Sequence, residues 1–214
     1  MTPAASQESV LSPRIGVLTN PLSGSNRQKP EILSSVIRNH PEVLLQNVQS
    51  PEDIHGALAE FGSKKVNLLV INGGDGTVQA VLTDLFNHSP FATPPQLMVL
   101  AGGTTNMIAG DVGVLGNQEQ ILQRLLQWIQ TGKGKVTRTR RPILRLTVPG
   151  HETKYGMFFG AASISQGTQY YHNNLHSNGL HGFPGICMTI LRFLWAITLQ
   201  RDRVVTPTEI QVRL

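Results

Sequence analysis

One glycine-rich run limits the possible folds of this chain more than any other segment: Asn72-Gly73-Gly74-Asp75-Gly76-Thr77. It follows an apolar stretch, residues 66–71, and precedes apolar residues at helical spacing, Val78, Val81, Leu82 and Leu85. This order predicts a strand, a tight turn and the start of a helix. Three glycines can bring unobstructed backbone N–H groups together at the positive end of a helix, an arrangement that suits phosphate oxygens.

The turn also contains one carboxylate, that of Asp75. A carboxylate this close to a phosphate would be repelled unless a cation such as Mg²⁺ lay between them, or unless neighbouring N–H groups donated hydrogen bonds to it. The segment therefore predicts a nucleotide and a metal ion.

Composition sets limits on size and class. The 214 residues suffice for one large domain, or for one domain and part of another. With 40% hydrophobic and 14% charged residues, the chain has material for a core and does not resemble a disordered protein. The net charge of +5 suits an anionic ligand or membrane surface, and is also ordinary for a soluble enzyme. A single cysteine, Cys187, excludes an internal disulfide and fits a reducing, cytoplasmic location.

Neither end of the chain carries a recognisable targeting or membrane segment. Residues 1–13 are rich in Ser, Ala, Gln and Pro, and we expect a flexible tail without a secretory signal. The most apolar stretch, residues 186–199, is interrupted by Arg192 and is shorter than the roughly 20 apolar residues of a membrane span. We expect no transmembrane helix.

Residues 14–132 alternate between strand and helix patterns. Short apolar runs predict strands at 15–19, 43–48, 66–71 and 97–101, and apolar residues at helical spacing follow each of them. Ser50 with Pro51 marks one helix start, Asn117 with Gln120 marks another, and Gly132 marks an end. The fold class is therefore α/β, with a mostly parallel sheet covered by helices on both faces.

Three polar or glycine-rich turns follow strands of this sheet, after Thr19, Ile71 and Ala101. Ligands of parallel sheets bind at the carboxyl ends of the strands. We therefore expect the three turns to converge on one ligand.

The pattern changes after Gly132. Basic residues are concentrated in residues 133–145, and alternation at 143–148 predicts a strand that could pair antiparallel with residues 155–164. A polar loop, an apolar helix at 183–199 and a strand at 209–214 are predicted to follow. We place residues 133–214 in a second, β-rich domain that is incomplete within this sequence.

The ordered motifs Asn20-Pro21-x-Ser23-Gly24, Gly73-Gly74-Asp75-Gly76-Thr77 and Gly103-Thr104-x-Asn106 resemble the catalytic domain of the diacylglycerol kinase family. This family includes bacterial lipid kinases and sphingosine kinases, and the resemblance spans about residues 14–200. It implies an α/β nucleotide-binding domain followed by a β-sandwich domain. The implied reaction transfers the γ-phosphoryl group of ATP to a lipid hydroxyl.

The resemblance also implies roles for individual residues. Asp75 is expected to act in catalysis near Mg²⁺, and Gln49 or Ser50 matches a nucleotide contact more loosely. The residues expected to bind ATP are Asn20, Ser23, Gly24, Gly73, Gly74, Asp75, Gly76, Thr77, Gly103, Thr104 and Asn106. This division suits phosphoryl transfer, in which positioning and charge stabilisation dominate.

The chain departs from the family pattern in three places. Gln79-Ala80 replaces the usual Asn-Glu, Ala101-Gly102 replaces an initial Pro, and Asn106-Met107 replaces Asn-Asp. The family's general base is a carboxylate far into the second domain, and no matching motif is present here. We expect that base beyond Leu214, so that the 214 residues alone would be nearly inactive as a kinase.

Alternative functions share some of these features. A NAD kinase-like enzyme shares the Gly-Gly-Asp-Gly-Thr turn but has a different later glycine-rich segment, and a catalytically silent nucleotide- or lipid-binding module remains an alternative.

The basic run favours a solvated strand edge over a membrane patch. His172, His176 and His181 lack a Cys partner and predict no metal site. Nucleic-acid binding is disfavoured because the basic residues lack interleaved aromatics. The expected partners are therefore a nucleotide and a lipid, with peripheral contact at the inner membrane surface and an open oligomeric state.

Overall fold

The computed structural model describes residues 13–114 and 116–158 and confirms the α/β fold class. Its centre is a four-stranded parallel sheet with the strand order β2-β1-β3-β4. The strands are β1 (Ile15–Thr19), β2 (Leu44–Asn47), β3 (Leu68–Gly73) and β4 (Gln96–Ala101). Each predicted strand of this sheet is present, with ends that differ by up to two residues.

The strand register places the carboxyl ends of all four strands at one edge of the sheet. Thr19, the last residue of β1, pairs with Asn47 in β2 and with Asn72 in β3. Gly73, the last residue of β3, pairs with Ala101 at the end of β4. The segments that leave β1, β3 and β4 therefore begin side by side, as predicted.

Helices cover both faces of the sheet. They are α1 (Ser34–Ile37), α2 (Pro51–Ser63), α3 (Asp75–His88), α4 (Met107–Asp111) and α5 (Gln118–Thr131). Alternate residues of β3 divide between two apolar clusters: Leu69 and Ile71 pack with α2, α3 and α4, while Val70 packs with α1 and α5. This alternation follows the two-residue period of a strand. The short helix α4 was not predicted from the sequence.

The helix starts after Ser50 and Asn117 and the helix end at Gly132 lie where they were predicted. The Ser50 hydroxyl accepts a hydrogen bond from the Asp53 N–H at 3.2 Å, and the Asp53 carboxylate accepts one from the Ser50 N–H at 3.0 Å. This reciprocal pair is a capping box, and it fixes the start of α2. The Asn117 side chain caps α5, and Gly132 closes that helix with a φ of 65°, which favours glycine.

A small antiparallel hairpin packs against α3. Its strands are β5 (Leu144–Leu146) and β6 (Lys154–Gly156). The Tyr155 N–H donates a hydrogen bond to the Thr83 hydroxyl at 3.1 Å, and the Tyr155 ring stacks on Phe86 at 4.9 Å between centroids. The predicted strand pairing is confirmed in this part, and residues 159–164 lie outside the described residues.

The basic segment before the hairpin is exposed and has no regular structure from 132 to 143. Arg141 nevertheless contacts the end of α4, because its guanidinium donates to the Asp111 carboxylate at 2.7 Å and to the Asp111 carbonyl at 2.9 Å. Such an exposed ion pair contributes little stability. It does define where the segment leaves the sheet domain.

Several predictions fall on residues that the structure does not describe. These are the tail at 1–12, the apolar helix at 183–199, the three histidines of the polar loop and the strand at 209–214. The chain divides into two compact units, residues 1–157 and 158–214. The proposed domain boundary near residue 133 stays a prediction. Among the described residues, no helix is both long enough and apolar enough to cross a bilayer.

Candidate active site

The first and second turns meet the third at the carboxyl edge of the sheet. The Asn20 N–H donates a hydrogen bond to the Asn72 carbonyl at 2.9 Å. The Ser25 N–H donates to the Gly102 carbonyl at 3.0 Å, and the Ser25 hydroxyl donates to the Gly103 carbonyl at 2.7 Å. The predicted convergence of the three turns is confirmed by these contacts.

Asn26 holds the first turn in place, although it was not among the predicted site residues. Its side chain is buried, and its Nδ2 donates to the Asn20 carbonyl at 2.8 Å and to the Asn72 carbonyl at 3.2 Å. A side-chain amide suits this position because it can satisfy two buried carbonyls at once. The sequence signal was weak, since Asn26 only continues a run of turn-forming residues.

The second and third turns are in direct backbone contact. A side chain on Gly103 would clash with the Cα of Gly74, and a side chain on Gly24 would clash with Thr104. These glycines are therefore required for close packing of the turns. A ligand cannot lie between Gly74 and Gly103, so any ligand must approach from another side.

Asn106 closes the third turn on itself. Its backbone has a left-handed φ of 54°, a conformation that asparagine tolerates better than most residues. Its Oδ1 accepts from the Gly103 N–H at 2.7 Å, and its Nδ2 donates to the Gly103 carbonyl at 2.9 Å. The predicted nucleotide contacts of Gly103, Thr104 and Asn106 stay predictions, and in the structure Gly103 and Asn106 shape the turn.

Asp75 is the first residue of α3, and its carboxylate binds the start of α4. One oxygen accepts from the Ile108 N–H at 2.9 Å, and the other accepts from the Met107 N–H at 3.1 Å. The sequence predicts either a cation beside this carboxylate or hydrogen bonds to it from neighbouring N–H groups. The structure shows the hydrogen bonds. Each oxygen keeps a further lone pair, so Asp75 also fits Mg²⁺, which typically takes one or two carboxylates together with phosphate oxygens and water.

Thr77 is the centre of a polar cluster that joins the first turn to α3. The Asn20 Nδ2 donates to the Thr77 hydroxyl at 3.0 Å, and the Ser23 hydroxyl lies 3.3 Å from the same oxygen. Ser23 also accepts from the Gly74 N–H at 3.2 Å. Three of the predicted site side chains therefore form one hydrogen-bonded group at the start of α3.

A pocket of about 150 Å³ opens beside this group. It lies between the first turn and the starts of α2 and α3. The residues that line it are Asn20, Val48, Gln49, Ser50, Pro51, Ile54, Gly76, Thr77 and Ala80. Gln49 and Ser50, which match a nucleotide contact of the family loosely, thus line the same pocket as Gly76 and Thr77 of the glycine-rich turn. No Lys or Arg is among these described lining residues.

The described structure has room for a side chain at position 76, so packing does not explain the glycine there. Its backbone is helical, and a Cβ at this position would meet nothing within 4 Å. Within residues 13–114 and 116–158, the N–H groups of Asp75 and Gly76 have no backbone or side-chain acceptor. Helix starts leave such donors free, and they carry the positive end of the helix dipole. The start of α3 can therefore receive an anion beside the pocket.

The capping box also fixes one wall of this pocket. The Asp53 carboxylate accepts hydrogen bonds from the Gln49 N–H at 2.9 Å and the Ser50 N–H at 3.0 Å. These two bonds lower the pKa of Asp53 below its ordinary value of 3.8. The ionised Asp53 thus holds Gln49 and Ser50 in position.

The family model for the diacylglycerol kinase catalytic domain matches residues 14–136, which is more than half of the chain. No curated protein sequence matches significantly. A solved diacylglycerol kinase from Bacillus anthracis strain Sterne is 25% identical with a TM-score of 0.43, and the match covers 53% of this chain and 39% of that one. A second Bacillus anthracis structure is 24% identical with a TM-score of 0.44 and the same coverage.

Proposed function

The chain belongs to the diacylglycerol kinase catalytic-domain family. From that premise we propose that it binds the phosphates of ATP at the start of α3 and is the nucleotide-binding part of a lipid kinase. The reaction proposed is transfer of the γ-phosphoryl group to the hydroxyl of a lipid. The match covers only 39% of the length of the solved structures, so the activity and the lipid substrate are part of this proposal.

The observation that carries the proposal is the pair of N–H groups of Asp75 and Gly76, which have no acceptor among the described residues and lie beside the pocket. A phosphate oxygen at this point would accept hydrogen bonds from donors that have no partner among the described residues. Gly76 supports the same assignment because its open side allows a ligand to approach the backbone closely. The pocket suits a phosphate-sized group, so the rest of the nucleotide would extend out of it.

The described residues that line the pocket are uncharged, so the phosphates of a bound nucleotide would need Mg²⁺ to offset their charge. The lining residues provide hydroxyl and amide groups but no cationic side chain. The dipole of α3 offsets only about half a unit of negative charge. We propose that Asp75 holds Mg²⁺ beside the phosphates, where the ion would supply the charge stabilisation that phosphoryl transfer requires.

The lipid acceptor would be activated by a group outside the described residues. None of the residues that line the pocket is a carboxylate, so the described part provides no general base there. An amphiphilic acceptor would place the enzyme in the cytoplasm, in peripheral contact with the inner membrane surface.

Two measurements test the proposed function. ATP with Mg²⁺ should raise the melting temperature of the 214-residue chain, since a ligand that binds only the folded state stabilises it. The full-length protein should transfer labelled phosphate from ATP to at least one member of a panel of lipid alcohols, including diacylglycerol and a sphingoid base. An unchanged melting temperature at millimolar nucleotide would contradict nucleotide binding.

A catalytically silent nucleotide-binding module is the second candidate. The observation in its favour is that both oxygens of Asp75 already accept hydrogen bonds from the start of α4, a purely structural task. In that case ATP would still raise the melting temperature, and the full-length protein would transfer no phosphate to any lipid. The two measurements together therefore separate the two candidates.

A further inference from the structure

A cluster of two histidines and one aspartate bridges α2 and α3 outside the pocket. The Nδ1 of His55, on α2, lies 2.9 Å from Oδ1 of Asp84, on α3. The Nδ1 of His88, one turn after Asp84 on α3, lies 2.8 Å from the same oxygen. Two imidazole nitrogens thus face a single carboxylate oxygen, and no predicted site residue takes part.

Burial is unequal within this cluster. The Asp84 side chain is only 10% exposed, whereas those of His55 and His88 are 54% and 49% exposed. The second oxygen of Asp84, Oδ2, is buried and has no hydrogen-bond partner among the described residues. A buried carboxylate oxygen without a donor is unfavourable, and a metal ion bound by the Asp84 carboxylate would offset part of that cost.

We propose that His55, Asp84 and His88 bind a divalent transition-metal ion of the Zn²⁺ type. One ligand atom from each residue lies within 4.8 Å of the other two. Ligand atoms of a tetrahedral zinc ion lie about 3.3 Å apart, so small side-chain rotations would admit the ion. Two imidazoles and a carboxylate, with water in the fourth position, are a common zinc ligand set. Mg²⁺ prefers oxygen ligands and does not suit this site.

The position of the cluster gives the ion a structural role. His55 follows Ile54 directly, and Asp84 lies one helical turn after Ala80; both Ile54 and Ala80 line the pocket. An ion bound by His55 from α2 and by Asp84 from α3 would fix the two helices against each other. It would therefore hold two walls of the pocket at a constant separation. This site is separate from the Mg²⁺ proposed beside Asp75.

The test is a zinc titration of the full chain after chelator treatment, followed by calorimetry and by the melting temperature. We expect one equivalent of Zn²⁺ to bind and to raise the melting temperature, while Mg²⁺ at the same concentration does neither. His55→Gln and His88→Gln should each weaken the binding of this equivalent by at least about tenfold. Both histidines are half exposed, so the variants should fold without metal.

His151→Gln is the matched control, because His151 is an exposed histidine of the described chain outside the cluster. This variant should keep the equivalent with unchanged affinity. Replacement of Zn²⁺ by Co²⁺ should give visible d–d absorption that His55→Gln abolishes. The proposal is overturned if the metal-free chain binds no Zn²⁺, or if both cluster variants bind it as tightly as the unchanged protein.

Discussion

The carboxylate of Asp75 accepts a hydrogen bond of 2.9 Å from the backbone N–H of Ile108, which lies 33 positions later in the chain. This bond connects the glycine-rich turn after β3 to the helix that follows β4. It gives Asp75 a structural task at the same point where family resemblance suggests a metal-binding one. The two tasks can be separated by experiment because they affect different measurements.

Asp75→Asn should lower the free energy of unfolding by about 1–3 kcal/mol, because an amide has only one oxygen to accept from the Met107 and Ile108 N–H groups. Urea denaturation measures this change. In the full-length protein the same variant should lower phosphoryl transfer by at least about a hundredfold, because the charge beside the phosphates is lost. Asp111→Asn is the control, since its exposed pair with Arg141 should contribute less than about 1 kcal/mol. Equal effects of the two substitutions on stability and activity would contradict the role of Asp75.

Thr77→Val should weaken ATP binding by about tenfold, which corresponds to 1.4 kcal/mol. The substitution keeps the shape of the side chain and removes the hydroxyl that accepts from Asn20. The Asn20 side chain, which lines the pocket, then loses the partner that orients it. Isothermal titration calorimetry gives the affinity, and Thr77→Ser should retain it because serine keeps the hydroxyl.

Thr83→Val is the matched control for that experiment. Thr83 is a second buried threonine on α3, and its hydroxyl accepts from the Tyr155 N–H in the hairpin instead of contacting the pocket. We expect it to lower stability by about 1 kcal/mol and to leave ATP affinity unchanged. Loss of affinity in Thr83→Val as large as that in Thr77→Val would indicate a general loss of stability and refute a specific role for Thr77.

The Asp53 cap predicts a defined dependence of stability on pH. Because folding lowers the pKa of this carboxyl below 3.8, its stabilising contribution is complete above pH 3.8 and is lost as the pH falls through the lowered value. Melting temperatures of the unchanged chain and of Asp53→Asn should therefore differ at pH 7 and converge in acid. A constant difference between the two at all pH values would contradict the cap.

Much of the fold was predictable because local signals agree with the final packing. The capping box at Ser50 and the glycine at 132 mark helix ends by hydrogen-bond chemistry that acts within a few residues. The alternating burial of β3 follows from a run of apolar residues between turns. Convergence of the three turns followed from the parallel order of the strands, which the alternation of helix and strand already implied.

The features that could not be predicted from the sequence depend on contacts between distant segments of the chain. The bond from Asp75 to α4 and the bridge from Asn26 to Asn72 need the folded sheet before the partners meet. The His55, Asp84 and His88 cluster needs α2 and α3 to be neighbours, although the spacing of Asp84 and His88 already places both on one side of a helix. Gly24 and Gly103 are among the residues expected from the sequence to bind ATP, which stays a prediction, and in the structure both glycines allow close packing of the turns.

Gly76 offers the sharpest distinction between a ligand site and a structural turn. Gly76→Ala adds a methyl group where nothing lies within 4 Å, so the fold should tolerate it and gain up to about 1 kcal/mol of helix propensity. Gly56→Ala makes the same change in α2, also without neighbours within 4 Å, and Gly56 is not among the residues that line the pocket. The two variants should therefore be equally stable.

The most direct measurement is calorimetric titration of ATP with Mg²⁺ into the unchanged chain, Gly76→Ala and Gly56→Ala. If phosphates bind at the start of α3, Gly76→Ala should lose at least about tenfold in affinity, because its methyl group would occupy the approach to the N–H groups of Asp75 and Gly76. Gly56→Ala should bind as tightly as the unchanged chain. Unchanged affinity in Gly76→Ala, or no binding by any of the three proteins, would contradict a phosphate site at this helix start.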